Sequence, residues 1–304
     1  MRLAALDIGS NTVHVLVADV VRGKLEDVAH HVEMPELGPT VSRTGAIGSR
    51  GAVALRAVRK VLAAARKHGY DELIASATEA IRQARDGAAF VRQASAILGV
   101  QVHVVSAHRE AELSFLGAAS RHGIRREWAL VDLGGASTEV VIARGDEILR
   151  WVTLPIGSGV LADTYLSDPP KPYERARLRK AALRELTRAP DGDVDRLVAT
   201  GGTASNLPAV LSRRNPPVVL TSADILTVES RLDRGRARQV AGETGLPLNR
   251  VKAMRGGIEE LLLLLDWFGL ALLHVSHEGL RHGMLLAYLK QGEDWWRDPP
   301  HEIR

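Results

Sequence analysis

Strand-length and helix-length apolar patterns occur twice along this chain, in the same order. Residues 2–8, 13–20 and roughly 25–33 read as three strands, the first two separated only by Gly9 to Thr12. From Ala52 to Lys67 apolar positions fall at 54/55, 58, 61/62 and 65, the spacing of one helical face. A strand at about 72–77, a helix at 87–98, a short strand at 100–105 and a helix at 107–122 capped by Ser106 follow. After a basic connector, 121–126, the order restarts with strands at 128–133, 138–143 and 148–155. A helix at 172–188, a strand at 195–200, a helix after Gly201-Gly202 and helices near 223–243 and 250–269 come next. A strand at 272–276 and a closing helix at 280–290 complete the pattern, with Asp168 to Pro172 as a loop and a frayed tail from Trp295. The shared order predicts two related α/β lobes, 1–122 and 123–279.

One phrase marks the repeat. Asp7-Ile8-Gly9-Ser10-Asn11-Thr12 returns, altered, 125 positions later as Asp132-Leu133-Gly134-Gly135-Ala136-Ser137-Thr138, followed by Glu139. An acid, a small-residue turn and a hydroxyl between two strands form a hairpin tip that approaches phosphate closely. Glycine lacks a β-carbon, and exposed N–H groups bind anions. Two such tips suggest lobes that grip one phosphate chain. The alternative for each tip is a capped β-turn, and for Glu139 a solvated strand position. Glu110, in the first turn of the 107–122 helix, is a third candidate, although helix dipoles favour acids there in any case; Glu112 reads as a surface acid. Thr200-Gly201-Gly202-Thr203 stands between a strand and a helix, where a helix N-terminus faces an anion or Ser205 merely caps a tight turn.

Bulk numbers narrow the classes. The 304 residues suit two cores, and 45% hydrophobic with 25% charged content is globular. Net charge is +4, and 33 of the 40 cations are arginine, which suits bidentate phosphate contacts. Zero cysteines exclude disulfides, thiolate zinc sites and thiol nucleophiles. Asp7 interrupts the first apolar stretch, which argues against a signal peptide, and Leu261 to Val275 is too short and too charged to span a bilayer. A cytoplasmic protein that binds neither DNA nor membrane is expected. Gly157-Ser158-Gly159 begins a weak dinucleotide-type match, and His277 and His282 are spaced one residue too far apart for a zinc helix. Arg175, Arg179, Lys180 and Arg184 on the 172–188 helix either guide a polyanion or form a solvated face.

These phrases together resemble the exopolyphosphatase and guanosine pentaphosphate phosphohydrolase (Ppx/GppA) family. Asp7 to Thr12 resembles its opening phosphate loop, Ala77 to Arg82 its A-T-x-A-x-R segment, and Val105 to Leu113 the stretch with its catalytic glutamate, here Glu110. Asp132 to Glu139 resembles its D-x-G-G-G-S-x-E loop, with Ala136 in place of the third glycine. Leu154 to Ser158, Thr200 to Ala204 and Gly279 to Gly283 also fall where the family has similar phrases. The resemblance implies a duplicated ribonuclease H-like fold of the actin, Hsp70 and sugar-kinase superfamily with an interdomain cleft. It also implies the short two-domain form, whose C-terminal helix (about 280–304) packs back on the first lobe. The implied activity is Mg2+-dependent (or Mn2+-dependent) hydrolysis of the terminal phosphate of inorganic polyphosphate. Glu110 would be the general base, with Arg82, Asp132 and Glu139 as further catalytic residues. Asp7, Asp132 and Glu139 would position the metal. Gly9, Ser10, Asn11, Thr12, Gly134, Gly135, Ser137, Thr138, Gly201, Gly202 and Thr203 would bind phosphate. A homodimer is common among relatives. Alternatives are a pppGpp 5'-phosphohydrolase, a kinase on the same fold, and a non-catalytic polyphosphate or nucleotide sensor.

Overall fold

A computed structural model of the chain describes residues 1–122, 126–212, 214 and 216–298. The connector residues 123–125 and the end of the tail, 299–304, lie outside the described residues. The chain divides into two compact units, Met1–Gly117 with Glu278–Arg304, and Ala118–His277. The division falls inside the helix 107–122 rather than after it.

Unit 1 opens with β1 (Arg2–Ile8), β2 (Val13–Val21) and β3 (Lys24–Glu33), an antiparallel meander. The helices α1 (Gly38–Thr44) and α2 (Arg50–His68) lead to β4 (Glu72–Ala77), α3 (Glu79–Gln83), α4 (Gly87–Leu98), β5 (Val102–Val104) and α5 (Ala107–His122). The sheet order is β3-β2-β1-β4-β5, with β4 and β5 parallel to β1. β1 and β4 are buried on both faces, whereas β3 at the sheet edge is largely exposed. α2 and α4 cover one side through Val58, Val61, Leu62, Phe90 and Val91.

In unit 2, β6 (Glu127–Leu133), β7 (Thr138–Arg144) and β8 (Glu147–Leu154) repeat the meander. They are followed by α6 (Ser158–Tyr165), α7 (Pro172–Leu186), β9 (Leu197–Thr200), α8 (Leu207–Leu211), β10 (Val219–Thr221), α9 (Ser222–Asp233), α10 (Ala237–Thr244), α11 (Leu248–Trp267) and β11 (Leu272–Val275). The chain returns to unit 1 with α12 (Leu280–Gln291). There Leu280, Met284 and Leu285 close the second face of the first sheet against Leu3, Ala5 and Leu16. α12 crosses α5 closely, because a side chain on Gly283 or Gly117 would overlap the backbone of Leu113 or Gly279.

The second sheet runs β8-β7-β6-β9-β11, with β10 added antiparallel at its edge. It therefore repeats the first sheet strand for strand. The duplication extends to defects: the register of β2 against β3 shifts between Val17 and Ala18, and that of β7 against β8 between Ile142 and Ala143. These positions differ by the same 125 residues as the hairpin tips. The expected ribonuclease H-like duplication is thus present in each unit. The segment expected as one helix near 223–243 is two, broken around Gly235. Among the described residues no helix is long and apolar enough to cross a membrane.

Candidate functional site

The two hairpin turns have the same geometry. Gly9 N–H donates to Thr12 O at 2.8 Å, and Gly134 N–H to Ser137 O at 3.0 Å. Asp7 stands opposite His14 across the β1–β2 ladder, as Asp132 stands opposite Glu139 across β6–β7. The duplication thus puts a histidine in unit 1 where unit 2 has an acid. Each turn lies at the C-terminal ends of a parallel trio, β1, β4 and β5 or β6, β9 and β11, the edge where open α/β sheets bind ligands.

In unit 1 the Asp7 carboxylate is nearly buried and accepts a hydrogen bond from Ser76 Oγ at 2.9 Å. The carbonyls of Ser10 and Asn11 are held by the amides of Gly38 (2.8 Å) and Glu36 (3.2 Å), which fixes the turn from behind. Glu110 is 8% exposed, one turn into α5, and its Oε2 lies 3.3 Å from Arg82 Nη1. Arg82 also donates to Val105 O at 2.7 Å and to Glu79. The A-T-E-A-I-R segment is the strand end and α3, and that short helix sets Arg82 between its own Glu79 and Glu110 of α5. Ser106 caps α5 through Arg109 N at 2.9 Å, as its position before an apolar helix predicts. Glu112 is not a plain surface acid: it pairs with Arg109 at 3.1 Å, and Arg109 also binds Gln291 at 2.6 Å.

In unit 2 the loop Gly134–Ser137 is braced by α6. Ser158 N donates to Gly134 O, and Gly159 N and Val160 N donate to Gly135 O, each at 3.0 Å. The Ser158 hydroxyl adds a bond to Gly134 O at 2.9 Å. The glycine-rich Gly157-Ser158-Gly159 stretch therefore supports the loop, and its helix amides are spent on loop carbonyls instead of a dinucleotide. A Cβ at Gly157 would sit 2.8 Å from Ala136 N, so only glycine allows this approach. Ala136 is not among the residues with positive φ, so its β-carbon costs the loop no backbone strain. Gly201 has φ +93°, and a Cβ there would overlap Leu133 O, so the turn after β9 rests on the strand leading into the loop.

The expected site residues divide into two groups. Gly134, Gly135, Gly201, Gly202, Asn11 and Thr12 are partly exposed, and Ser10 and Ser137 are nearly buried at their turns. Thr138 and Thr203 are fully buried with hydroxyls turned inward, so they support the turns rather than offer hydroxyls to a phosphate. Glu139 is 2% exposed, so it is not a solvated strand position. Arg175 is not available to a polyanion: it pairs with Glu229 at 2.9 Å and Asp233 at 2.6 Å. Arg179 pairs with Glu259 at 3.3 Å and Asp266 at 2.7 Å. Arg250 escaped the sequence reading; its guanidinium lies over Gly202, at the turn after β9. No local phrase announces it, because it comes from the first turn of α11, some fifty residues away. Among the described residues no group of three or more His, Asp or Glu is gathered to hold a metal ion.

A family model described as the Ppx/GppA phosphatase family matches residues 16–292. This chain belongs to the Ppx/GppA phosphatase family. The Aquifex aeolicus PPX-GPPA enzyme is 29% identical, covers 94% of this chain and 99% of its own, and superposes with a TM-score of 0.77. An exopolyphosphatase from Cytophaga hutchinsonii, 22% identical over 95% of this chain and 98% of its own, superposes with a TM-score of 0.84 and supports the fold. An exopolyphosphatase-like protein at 24% identity has the same TM-score, with 94% of this chain and 97% of its own covered. Ppx/GppA membership gives the fold as actin-like and ribonuclease H-like and the activity class as phosphatase, a hydrolase.

Proposed function

We propose that this Ppx/GppA chain is an exopolyphosphatase, removing the terminal phosphate of inorganic polyphosphate with Glu110 as general base. The observation that carries the reading is the Glu110–Arg82 contact of 3.3 Å at the strand edge that also bears the Asp7 turn. A neighbouring guanidinium favours the ionised carboxylate that a base must be. Positive charge at that point also meets the main demand of phosphoryl transfer, neutralising the transferring group. In the step, the oxygen of water bonds to the terminal phosphorus as the bridging P–O bond breaks. The water's proton passes to Glu110, and the shortened polyphosphate leaves with the electron pair. Apart from the Gly9 and Gly134 N–H groups, which close the turns, the amides of the 9–12 turn in unit 1 and, separately, those of the 134–137 turn with Gly201 and Gly202 in unit 2 would bind phosphate oxygens, and Arg250 adds a cation at Gly202.

The acids fit a divalent cation. Asp132 and Glu139 stand opposite one another across the β6–β7 ladder, close enough for one ion to reach both. Mg2+ takes one or two carboxylates and fills its other positions with phosphate oxygens and water. Asp132 and Glu139 would hold the ion, with Asp7, fixed by Ser76, as the corresponding acid of the first turn. When bound, Mg2+ (or Mn2+) supplies charge neutralisation at the phosphate oxygens.

One feature favours pppGpp as a second substrate. A cavity of about 350 Å³ beside Arg82 is lined by Val104, Val105, Ser106, Trp296, Arg297 and Asp298. Trp296 there already stacks on His103 and carries Arg297 over its ring, so the cavity offers a guanosine polyphosphate its arginine cations rather than a bare indole face. Phosphate release from polyphosphate, pppGpp and ATP, with and without Mg2+, separates the readings. Release from polyphosphate that is lost in Glu110→Gln supports the proposal. Preference for pppGpp moves the assignment to the second reading. Phosphate transfer from ATP to an acceptor, or no release at all, overturns both.

A further inference from the structure

The tail expected to fray from Trp295 is docked instead, as far as Asp298. After α12 a single turn, Gly292–Asp294, brings the chain to β5, the edge strand of the first sheet. Trp295 is 1% exposed and belongs to the core that α12 forms on that sheet. Trp296 lies flat on His103 of β5, with ring centroids 4.4 Å apart and planes at 15°. Trp295 meets the same imidazole in a T-shaped arrangement at 5.9 Å.

The polar contacts of this tail fall on the residues just before Glu110. Ser106 Oγ accepts the Arg109 amide as the cap of α5, and donates its own proton to Asp298 Oδ1 at 2.6 Å. That second bond fixes the hydroxyl in its capping orientation. The same carboxylate oxygen lies 3.5 Å from His108 Nδ1, and a negative charge at a helix N-terminus is favourable. Arg109 is 5% exposed, and a buried guanidinium requires partners. It donates to the Trp295 carbonyl through Nε at 3.0 Å and also through Nη2, to Gln291 at 2.6 Å and to Glu112 at 3.1 Å. Glu110 N donates to Ser106 O at 2.9 Å, so the acid is placed by the first turn of the helix, the part that frays most readily. Trp296, Arg297 and Asp298 line the same cavity as Ser106 and Arg82, the cation 3.3 Å from Glu110.

We propose that Trp295–Asp298 is a strap that positions Glu110. Asp298, through Ser106, and Arg109, through the Trp295 carbonyl, hold the first turn of α5 where it keeps Glu110 against Arg82. The consequence for catalysis rests on the reading of Glu110 as general base; the tethering of the turn does not. Both are positioning residues, because they act through the helix. The Asp298 side chain is 42% exposed, so replacing it leaves the core intact. Asp298→Ala lowers kcat on polyphosphate about tenfold, with KM within about twofold and Tm within about a degree of wild type. Asp298→Asn keeps an oxygen for the Ser106 hydroxyl and restores kcat to within about threefold of wild type. Arg109→Lys keeps the charge but not the fork that reaches Trp295, Gln291 and Glu112 together, and it also lowers kcat.

Amide hydrogen exchange of a peptide spanning 105–113 reads the turn directly. Exchange is faster in Asp298→Ala than in wild type and returns to the wild-type rate in Asp298→Asn. A wild-type kcat in Asp298→Ala, or a loss of kcat with exchange at 105–113 unchanged, overturns the proposal. Should the wild type release no phosphate from any substrate, the reading of Glu110 fails, and exchange at 105–113 alone decides whether the strap holds this turn.

Discussion

Glu260, fully buried in α11, makes a prediction about folding that needs no substrate. Its ordinary value of 4.5 is pushed up to about 7 by complete burial, which the Thr138 hydroxyl only partly offsets. A shift of one unit corresponds to about 1.4 kcal/mol, so the ionised acid costs the folded state about 3 kcal/mol relative to the unfolded chain. The direction follows from proton binding. The folded state holds the proton more tightly, so stability from this group is complete below pH 4.5. It declines as the unfolded carboxyl ionises and is fully lost once pH has risen past about 7. Glu260→Gln cannot ionise. Its unfolding free energy should equal that of wild type at pH 4 and exceed it by about 3 kcal/mol at pH 8. For a domain of this size that is a rise in Tm of roughly 6–12 °C at pH 8 alone, readable by calorimetry. Equal Tm differences at both pH values would refute the reasoning, because they would mean that the side chain is charged, or solvated, in the folded protein.

The remaining predictions test separate parts of the account. Glu110→Gln should lose roughly 10²–10⁴ in kcat while its Tm stays within about a degree of wild type. A collapse in Tm would make the residue structural. Gly201→Ala, at φ +93° and against Leu133 O, should destabilise unit 2 by about 2–4 kcal/mol in denaturant titrations. A neutral result would show that this turn relaxes freely. Arg175→Met leaves Glu229 and Asp233, both pushed up by burial, and Glu259 without their common cation. It should cost about 3–5 kcal/mol in stability yet leave the dependence of KM on polyphosphate chain length unchanged. A changed length dependence would return α7 to the substrate path.

Much of the fold was legible because the repeat was written in turn chemistry and strand period together. Asp7 to Thr12 and Asp132 to Ser137 fixed the hairpins, and the alternating segments beside them fixed the strands to within a residue or two. What escaped was short, or depended on distant partners. α3 has five residues and β10 three, too few for a period to show. α6 begins with Ser158-Gly159, poor helix formers, and its place is set by the carbonyls of Gly134 and Gly135. In the candidate site the family phrase singles out Glu110 and Arg82, but their contact, and Glu79 as Arg82's other partner, does not follow from it. Glu260 was the least visible. Beside Glu259 it reads as a charge that interrupts a leucine run, whereas the helix buries both acids on different faces. The same effect misplaced the basic helix: Arg175 and Arg179 look solvated until α9 and α11 supply their acids.

Time-resolved 31P NMR of a polyphosphate of defined length, with wild type and Glu110→Gln side by side in Mg2+, tests the central claim most directly. Orthophosphate should grow one unit at a time as chains shorten from their ends, and Glu110→Gln should leave the spectrum nearly static. Cleavage at internal bonds, or a Glu110→Gln enzyme as fast as wild type, would contradict it.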